Sequence, residues 1–146
     1  MSTQMTQIKQ INTDDKMEKY LHKELTDRII KSFYLVYNEL GFGFLENVYQ
    51  NALYLELKNN QINVEAQKPI QVYYQNQLVG NYKADLIVDN TIILELKAVE
   101  FLLEEHEFQL INYLKATNIE IGLLLNFGKK PEIRRKIFTN DRKKSV

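Results

Sequence analysis

The stretch Tyr82 to Glu100, YKADLIVDNTIILELKAVE, decides how this chain is read. Two runs of β-type residues lie on either side of Asp89-Asn90, and three charged side chains, Asp85, Glu95 and Lys97, sit inside those apolar runs. Successive strand residues point to opposite faces, so in a strand from Thr91 to Ala98 the residues Ile93, Glu95 and Lys97 share one face. Ile92, Leu94, Leu96 and Ala98 share the other. Whether Asp85 joins Glu95 depends on the turn. A two-residue loop at Asp89-Asn90 sets Asp85 opposite Leu94, on the wrong face. A three-residue loop, Asp89-Asn90-Thr91, pairs Val88 with Ile92 and sets Asp85 across from Glu95, with Cα atoms about 4.5 to 5.5 Å apart. The longer loop is the expectation, because Asn90 tolerates the left-handed backbone it needs.

That register brings together two carboxylates and one ammonium. Adjacent carboxylates disfavour each other's ionised form unless a cation lies between them. Mg²⁺ takes one or two carboxylates plus waters and phosphate oxygens, which Asp85 and Glu95 could supply. Lys97 would then orient or help deprotonate a water, or balance charge on a phosphoryl group. The plainer alternative is an exposed hairpin face with a Glu–Lys pair, and short D…ExK spacings arise often by chance.

Working outward, 146 residues suit one domain with a sizeable core. The chain has no cysteine, which excludes a disulfide scaffold and a thiolate zinc site, and with His22 and His106 as the sole histidines it has no histidine-rich metal centre. No apolar run approaches a membrane span and the polar start has no signal-peptide core, so a cytoplasmic protein is expected. Formal charge is zero overall, which argues against bulk electrostatic coating of nucleic acid. The distribution is uneven: from Lys129 onward eight basic residues stand against Glu132 and Asp141, leaving that segment at +6 and the remainder at −6. Arg142 to Lys144 reads as a solvated tail, and Lys129 to Lys136 as a candidate backbone contact.

Met1 to Thr13 is expected to be loose, with Asp14 or Asp15 capping a helical stretch and Thr26 offering a second start. Residues 1–22 are thus a loose or helical extension. Ile29, Ile30, Phe33, Val36, Tyr37 and Leu40 predict a helix that Gly41 stops. A second helix is expected over Leu45 to Asn59 with core stripe Leu45, Val48, Ala52 and Leu55. Glu46 in its first turn suits the helix macrodipole, and Tyr49 suits core packing. Strands follow at Pro69 to Tyr74 and Leu78 to Val88, separated by Gln75-Asn76-Gln77, with Gly80 marking a bulge. The Thr91 to Ala98 strand is the most apolar and should be central. A helix over Glu104 to Ala116 should bury Leu103, Glu107, Leu110, Ile111 and Leu114, while His106, Gln109 and Tyr113 form a polar stripe beside them. Ile119 to Phe127 should run parallel to the central strand through a right-handed crossover, and Pro131 to Phe138 should be an edge strand.

Taken together, Asp85, Glu95-Leu96-Lys97, and Gln109 with Tyr113 in QLINY resemble the PD-(D/E)XK nuclease superfamily, in particular its RecB-like branch with a Q-x-x-x-Y element. Gly43 to Tyr49 reads as G-x-x-E-x-x-Y. With KADLIVDN, ILELKAVE, QLINYLKAT and GLLLNFG, it is similar to the small GxxExxY family over about Leu25 to Phe138. The resemblance implies an α/β, restriction-endonuclease-like core over residues 23–138, a mixed sheet flanked by helices, followed by a basic tail at 139–146. It implies Mg²⁺ or Mn²⁺ as cofactor and hydrolysis of nucleic acid, DNA foremost, by a water that the ion activates. Asp85 and Glu95 match the metal ligands, Glu46 the helix glutamate that can complete the site, and Lys97 the catalytic lysine. Gln109 and Tyr113 match residues that support the site or contact the DNA backbone; Tyr49, Lys83, Lys129 and Lys130 are the further substrate-contact candidates. Three positions depart from the pattern: Ala84 stands where the superfamily's name has proline, Lys83 where arginine is frequent, and Tyr37 where histidine is expected. Lys83 forgoes a bidentate phosphate fork. The rival reading is a catalytically silent module that keeps the fold and holds nucleic acid or a protein partner. The short chain leaves room for a homodimer or larger assembly.

Overall fold

The structure, a computed structural model, describes the backbone of residues 3–143 and the side chains of residues 22–143. Two compact units divide the chain, residues 1–31 and 32–146. Neither glycine nor proline occurs before Gly41, and the first helix, α1, runs over Thr3–Leu40. It ends where expected, with Gly41 at φ 67° donating its N–H to the Tyr37 carbonyl at 2.8 Å.

In the second unit, helix α2 (Glu46–Asn59) is followed by strands β1 (Val64–Tyr74), β2 (Gln77–Val88) and β3 (Ile92–Lys97). Helix α3 (Glu104–Lys115), β4 (Ile121–Phe127), β5 (Pro131–Ile137) and a 3₁₀ turn at Asn140–Arg142 complete it. The strands form one mixed sheet in the order β1-β2-β3-β4-β5, with β3 central and parallel to β4 and every other pair antiparallel. The central, parallel and edge placements follow the sequence expectations. The β2–β3 loop is the three-residue one: Val88 pairs with Ile92, Asp89 and Asn90 both have φ 51°, and the Thr91 N–H closes on the Val88 carbonyl at 2.9 Å. The β1–β2 turn is one residue tighter than expected, with Gln75 and Asn76 left-handed and Tyr74 facing Gln77. Its bulge is at Val79, beside Gly80, where Val72 pairs with Gly80 but Tyr73 with Leu78.

One sheet face carries Ile87, Ile93 and Leu124 beneath Leu110, Tyr113 and Leu114 of α3. On the opposite face Phe127 stacks on Tyr49 of α2 at 4.3 Å and meets Phe33, from the last turns of α1, at 4.7 Å. All but the last residue of β3 is buried, as a strand covered on both faces requires.

Two helix faces differ from the sequence reading. α2 buries Tyr49, Leu53 and Leu57, while Leu45 is 77% exposed and Leu55 is 59% exposed. Apolar residues occur on both sides of this helix, and the chosen side is the one whose large ring fills the space over Phe127. α3 buries Leu110, Tyr113 and Leu114 and leaves Leu103 exposed. Glu107 instead reaches outward to Lys136 at 2.7 Å and Arg134 at 3.6 Å on β5, so two of the basic residues proposed for backbone contact are paired.

Of the residues read as a solvated tail, Arg142 is exposed but Lys143 is tied down. The Lys143 ammonium donates to the carbonyls of Thr117 and Ile119, each at 2.8 Å, and to Asn140 Oδ1 at 2.6 Å, while Arg142 lies over the Phe138 ring. The unpaired carbonyls just beyond α3 attract a cation. Lys144 lies outside the described residues. Among the described residues no helix is long and apolar enough to cross a membrane.

Candidate active site

Leu86–Leu94, Ile87–Ile93 and Val88–Ile92 are the paired positions of β2 and β3, and the next step of that register is Asp85 with Glu95. There the ladder gives way to side-chain bonds: the Asp85 N–H donates to Glu95 Oε1 at 3.1 Å, and the Leu96 N–H donates to Asp85 Oδ2 at 2.8 Å. Each carboxylate is thus held by the other residue's strand. The β1 side is distorted at the same level. Ala66–Leu86 and Lys68–Ala84 pair, but Gln67 and Asp85 between them do not, and Gln67 has φ 54°. Ala84 and Ile87, three residues apart, both lie under α3, which an undistorted strand forbids. Irregularities of this kind re-aim a side chain, and here the one re-aimed is Asp85. The Gln67 amide is tied to α2, its Nε2 donating to Gln50 Oε1 at 2.8 Å.

Glu95 is 5% exposed. Burial first, and the Asp85 charge second, push its carboxyl from 4.5 up to about 9, while Lys97 pulls weakly the other way. The tyrosine of the Q-x-x-x-Y element completes the surroundings: Gln109 Nε2 donates to the Tyr113 hydroxyl at 3.1 Å. That hydroxyl is pushed up to about 12 by burial and then by the Glu95 and Asp85 charges, so it stands within electrostatic reach of both acids. The structure therefore gathers Asp85, Glu95, Lys97, Gln109 and Tyr113 at one place, on the α3 side of the sheet.

A buried carboxyl next to a second carboxylate is a donor set that fits a hard divalent ion. Asp85 and Glu95 supply it. Glu46 is exposed in the first turn of α2, and among the described residues no three acidic or histidine side chains converge as a metal cage. Its helix starts one turn before Gln50, whose amide meets Gln67.

The remaining candidates divide. Tyr49, expected as a substrate contact, is fully buried; its hydroxyl donates to the Gly41 carbonyl at 2.6 Å and accepts from the Phe44 N–H at 3.2 Å. Its structure-side job is to hold the Gly41–Leu45 loop. Lys83 is exposed on β2, two residues before Asp85, and Lys129 and Lys130 are exposed directly after β4. Since Lys97 pairs with Asn126, these two lysines lie beyond the end of the sheet where β3 delivers Lys97. Tyr37, found where histidine was expected, donates its hydroxyl to the carbonyls of Gly128 and Lys129 at 2.7 and 2.8 Å.

Three contributors escaped the sequence reading. Gln67 escaped because glutamine seldom adopts positive φ. Asn126 is fully buried, accepts from the Val99 N–H at 3.0 Å and donates to the Val99 carbonyl at 2.9 Å, so it pins the chain two residues past Lys97. A polar residue inside GLLLNFG was the available signal. Gly128 lets that segment approach: a Cβ there would stand 2.3 Å from the Val99 carbonyl oxygen.

No curated protein matches the chain. Among solved structures, that of SSO0001 is similar at a TM-score of 0.54 and 22% identity, covering 66% of this chain. The chain spans 52% of that protein's length. At this identity the likeness bears on the fold. The family model of the PD-(D/E)XK nuclease superfamily matches residues 23–136, from the latter part of α1 to β5, with every acid, lysine and amide of the site inside it. With the acid pair, the lysine two residues on and the mixed sheet all in place, the chain belongs to the PD-(D/E)XK nuclease superfamily.

Proposed function

We propose that this protein is a nuclease of the GxxExxY type, in the RecB-like branch, which hydrolyses phosphodiester bonds of DNA with Mg²⁺ or Mn²⁺. The observation that supports this most is the reciprocal clasp of Asp85 and Glu95, with Lys97 beside it. Asp85 and Glu95 would hold the ion. When bound, a divalent cation acidifies the attacking water and neutralises charge on the phosphate. The protein's own groups do the rest. The clasp keeps both carboxylates in place before any ligand arrives, which lowers the cost of organising the site. Lys97 offers its ammonium to the water or to the phosphoryl oxygens, and Tyr113, oriented by Gln109, closes the α3 side. Lys83, Lys129 and Lys130 are exposed to contact the DNA backbone. Glu46 takes an outer part, so Glu46→Gln should cost less activity than Glu95→Gln. A cysteine-free chain suits the cytoplasm.

Digestion of a panel of single- and double-stranded DNA and RNA with Mg²⁺ or Mn²⁺ tests the reading. Wild type should cut, and Asp85→Ala and Lys97→Ala should lose at least about a hundredfold of the rate. Equal rates in all three proteins would refute the assignment. The rival is a silent module that keeps the fold. It would be supported by no carboxylate-dependent Mn²⁺ binding in calorimetry together with DNA affinity lost in Lys129→Glu/Lys130→Glu.

A further inference from the structure

A groove of about 790 Å³ opens between the β1–β2 arm and α3. Four aromatic rings line it: Tyr73 and Tyr82 from the strands, Phe108 and Tyr113 from the helix. Three of them are largely in solvent, Tyr73 at 52%, Tyr82 at 48% and Phe108 at 58% exposure. Leaving that much ring surface uncovered forgoes burial energy, and such concentrations mark binding surfaces. The rings are held in place: the Tyr73 hydroxyl donates to Gln71 Oε1 at 2.9 Å, and Tyr82 lies against Tyr113 with centroids 5.7 Å apart.

The polar lining narrows the occupant. Gln71, Gln109 and Asn112 offer amides, each both donor and acceptor. The charged groups are one acid and one base, Glu105 and Lys115, so the groove is close to neutral. A phosphate would find no positive field there. A flat, uncharged heterocycle with its own donors and acceptors matches both the rings and the amides. The groove is linked to the acid pair through Tyr113, which lines it and lies within electrostatic reach of Asp85 and Glu95. Tyr113 and Gln109 belong to both, and Tyr82 precedes Asp85 by three residues on one strand, roughly 10 Å at strand rise.

We propose that this groove is a nucleobase subsite, taking an unpaired base of the strand whose phosphate lies at Asp85 and Glu95. Its direct consequence is a preference for single-stranded substrate, or for frayed ends and flaps, because a base stacked inside a duplex cannot enter between Tyr82 and Phe108. This inference rests on the nuclease reading for the placement of the phosphate, but the base contact is measurable without cleavage.

The probe is a single-stranded thymidine oligonucleotide carrying one 2-aminopurine, titrated with protein in chelator and again with Mn²⁺. Cleavage is followed in parallel. Wild type should quench the 2-aminopurine on binding. Tyr82→Ala and Phe108→Ala should each weaken binding about tenfold and relieve the quench, as loss of one stacking partner does. Tyr82→Phe, which keeps the ring, should restore both. Both side chains are about half exposed, so truncation leaves the fold intact, verifiable by thermal melting. Equal affinity and equal quench in wild type and the alanine variants, or duplex bound as tightly as single strand, would overturn the subsite. Quenching with no cleavage under any metal would leave the subsite standing and remove the hydrolase reading; cleavage without quenching would do the reverse.

Discussion

Glu95→Gln in metal-free protein should abolish a pH dependence of stability that the wild type shows. The unfolded chain releases this proton near 4.5, whereas the folded protein retains it up to about 9, because the carboxyl is buried beside Asp85. Between those values the folded state binds more protons, so stability is complete below the lower one and is lost as pH rises through the upper. With about 1.4 kcal/mol per pH unit, the step from about pH 5 to about pH 8 removes roughly 4 kcal/mol. For a chain of this size that lowers Tm by roughly 8–16 °C. Glutamine keeps an oxygen for the Asp85 N–H, which Glu95 accepts at 3.1 Å, and carries no proton to lose. The assay is thermal melting in excess chelator across that range, reading the difference between variant and wild type, which cancels groups common to both. The variant should be the more stable protein at the alkaline end and equal at the acid end. Mn²⁺ added at the alkaline end should raise the wild-type Tm and leave Glu95→Gln and Asp85→Asn unmoved, by mass action on the folded state. Parallel pH profiles for wild type and variant would refute the reasoning, since they would mean that Glu95 ionises in the fold as it does in water.

Three further outcomes follow from the packing. Gly128→Ala places a Cβ 2.3 Å from the Val99 carbonyl oxygen and 3.0 Å from Asn126 Nδ2, and should cost about 2 kcal/mol or more in urea unfolding; an unchanged midpoint would show that Val99 is not held there. Tyr49→Phe removes a buried hydroxyl with two backbone partners, and should cost about 1–2 kcal/mol while leaving oligonucleotide affinity alone; lost affinity at unchanged stability would return Tyr49 to the substrate contacts. Glu107 is held below the usual carboxylate range mainly by its hydrogen bond from Lys136. Its contribution is therefore present above its unfolded value and lost as pH falls. The bridging amines are a third to a half exposed, 30% for Lys136 and 46% for Arg134, so Glu107→Gln should cost under about 1 kcal/mol near neutral pH, and acid titration of the wild type should close the gap.

Much of the sheet was legible because its signals are local. Alternation located the strands, and Asp89-Asn90-Thr91 carried the loop length that pairs Val88 with Ile92. The apolar run ILELK announced a strand covered on both faces. The helix faces were not legible in the same way. α2 has apolar side chains at Val48, Ala52 and Leu55 as well as at Tyr49, Leu53 and Leu57, and what selects between them is the ring of Phe127, 78 residues beyond Tyr49 in the chain. Lys143 read as a tail because its partners, the carbonyls of Thr117 and Ile119, exist only once α3 has ended beside it. Gln67 gave no sign, since its tie to Gln50 depends on α2 packing beside β1.

By itself the sequence determined which chemical groups are present and at what strand spacing: two acids, a lysine two residues after the second, and a glutamine and tyrosine one helical turn apart. Those relations lie within single elements or across one short loop, where backbone geometry leaves few choices. Only the tertiary structure decided that Glu95 is buried and that Tyr113 stands between the acid pair and an aromatic groove. Burial and long-range approach are properties of packed surfaces, and no local pattern along the chain encodes what a distant element will cover.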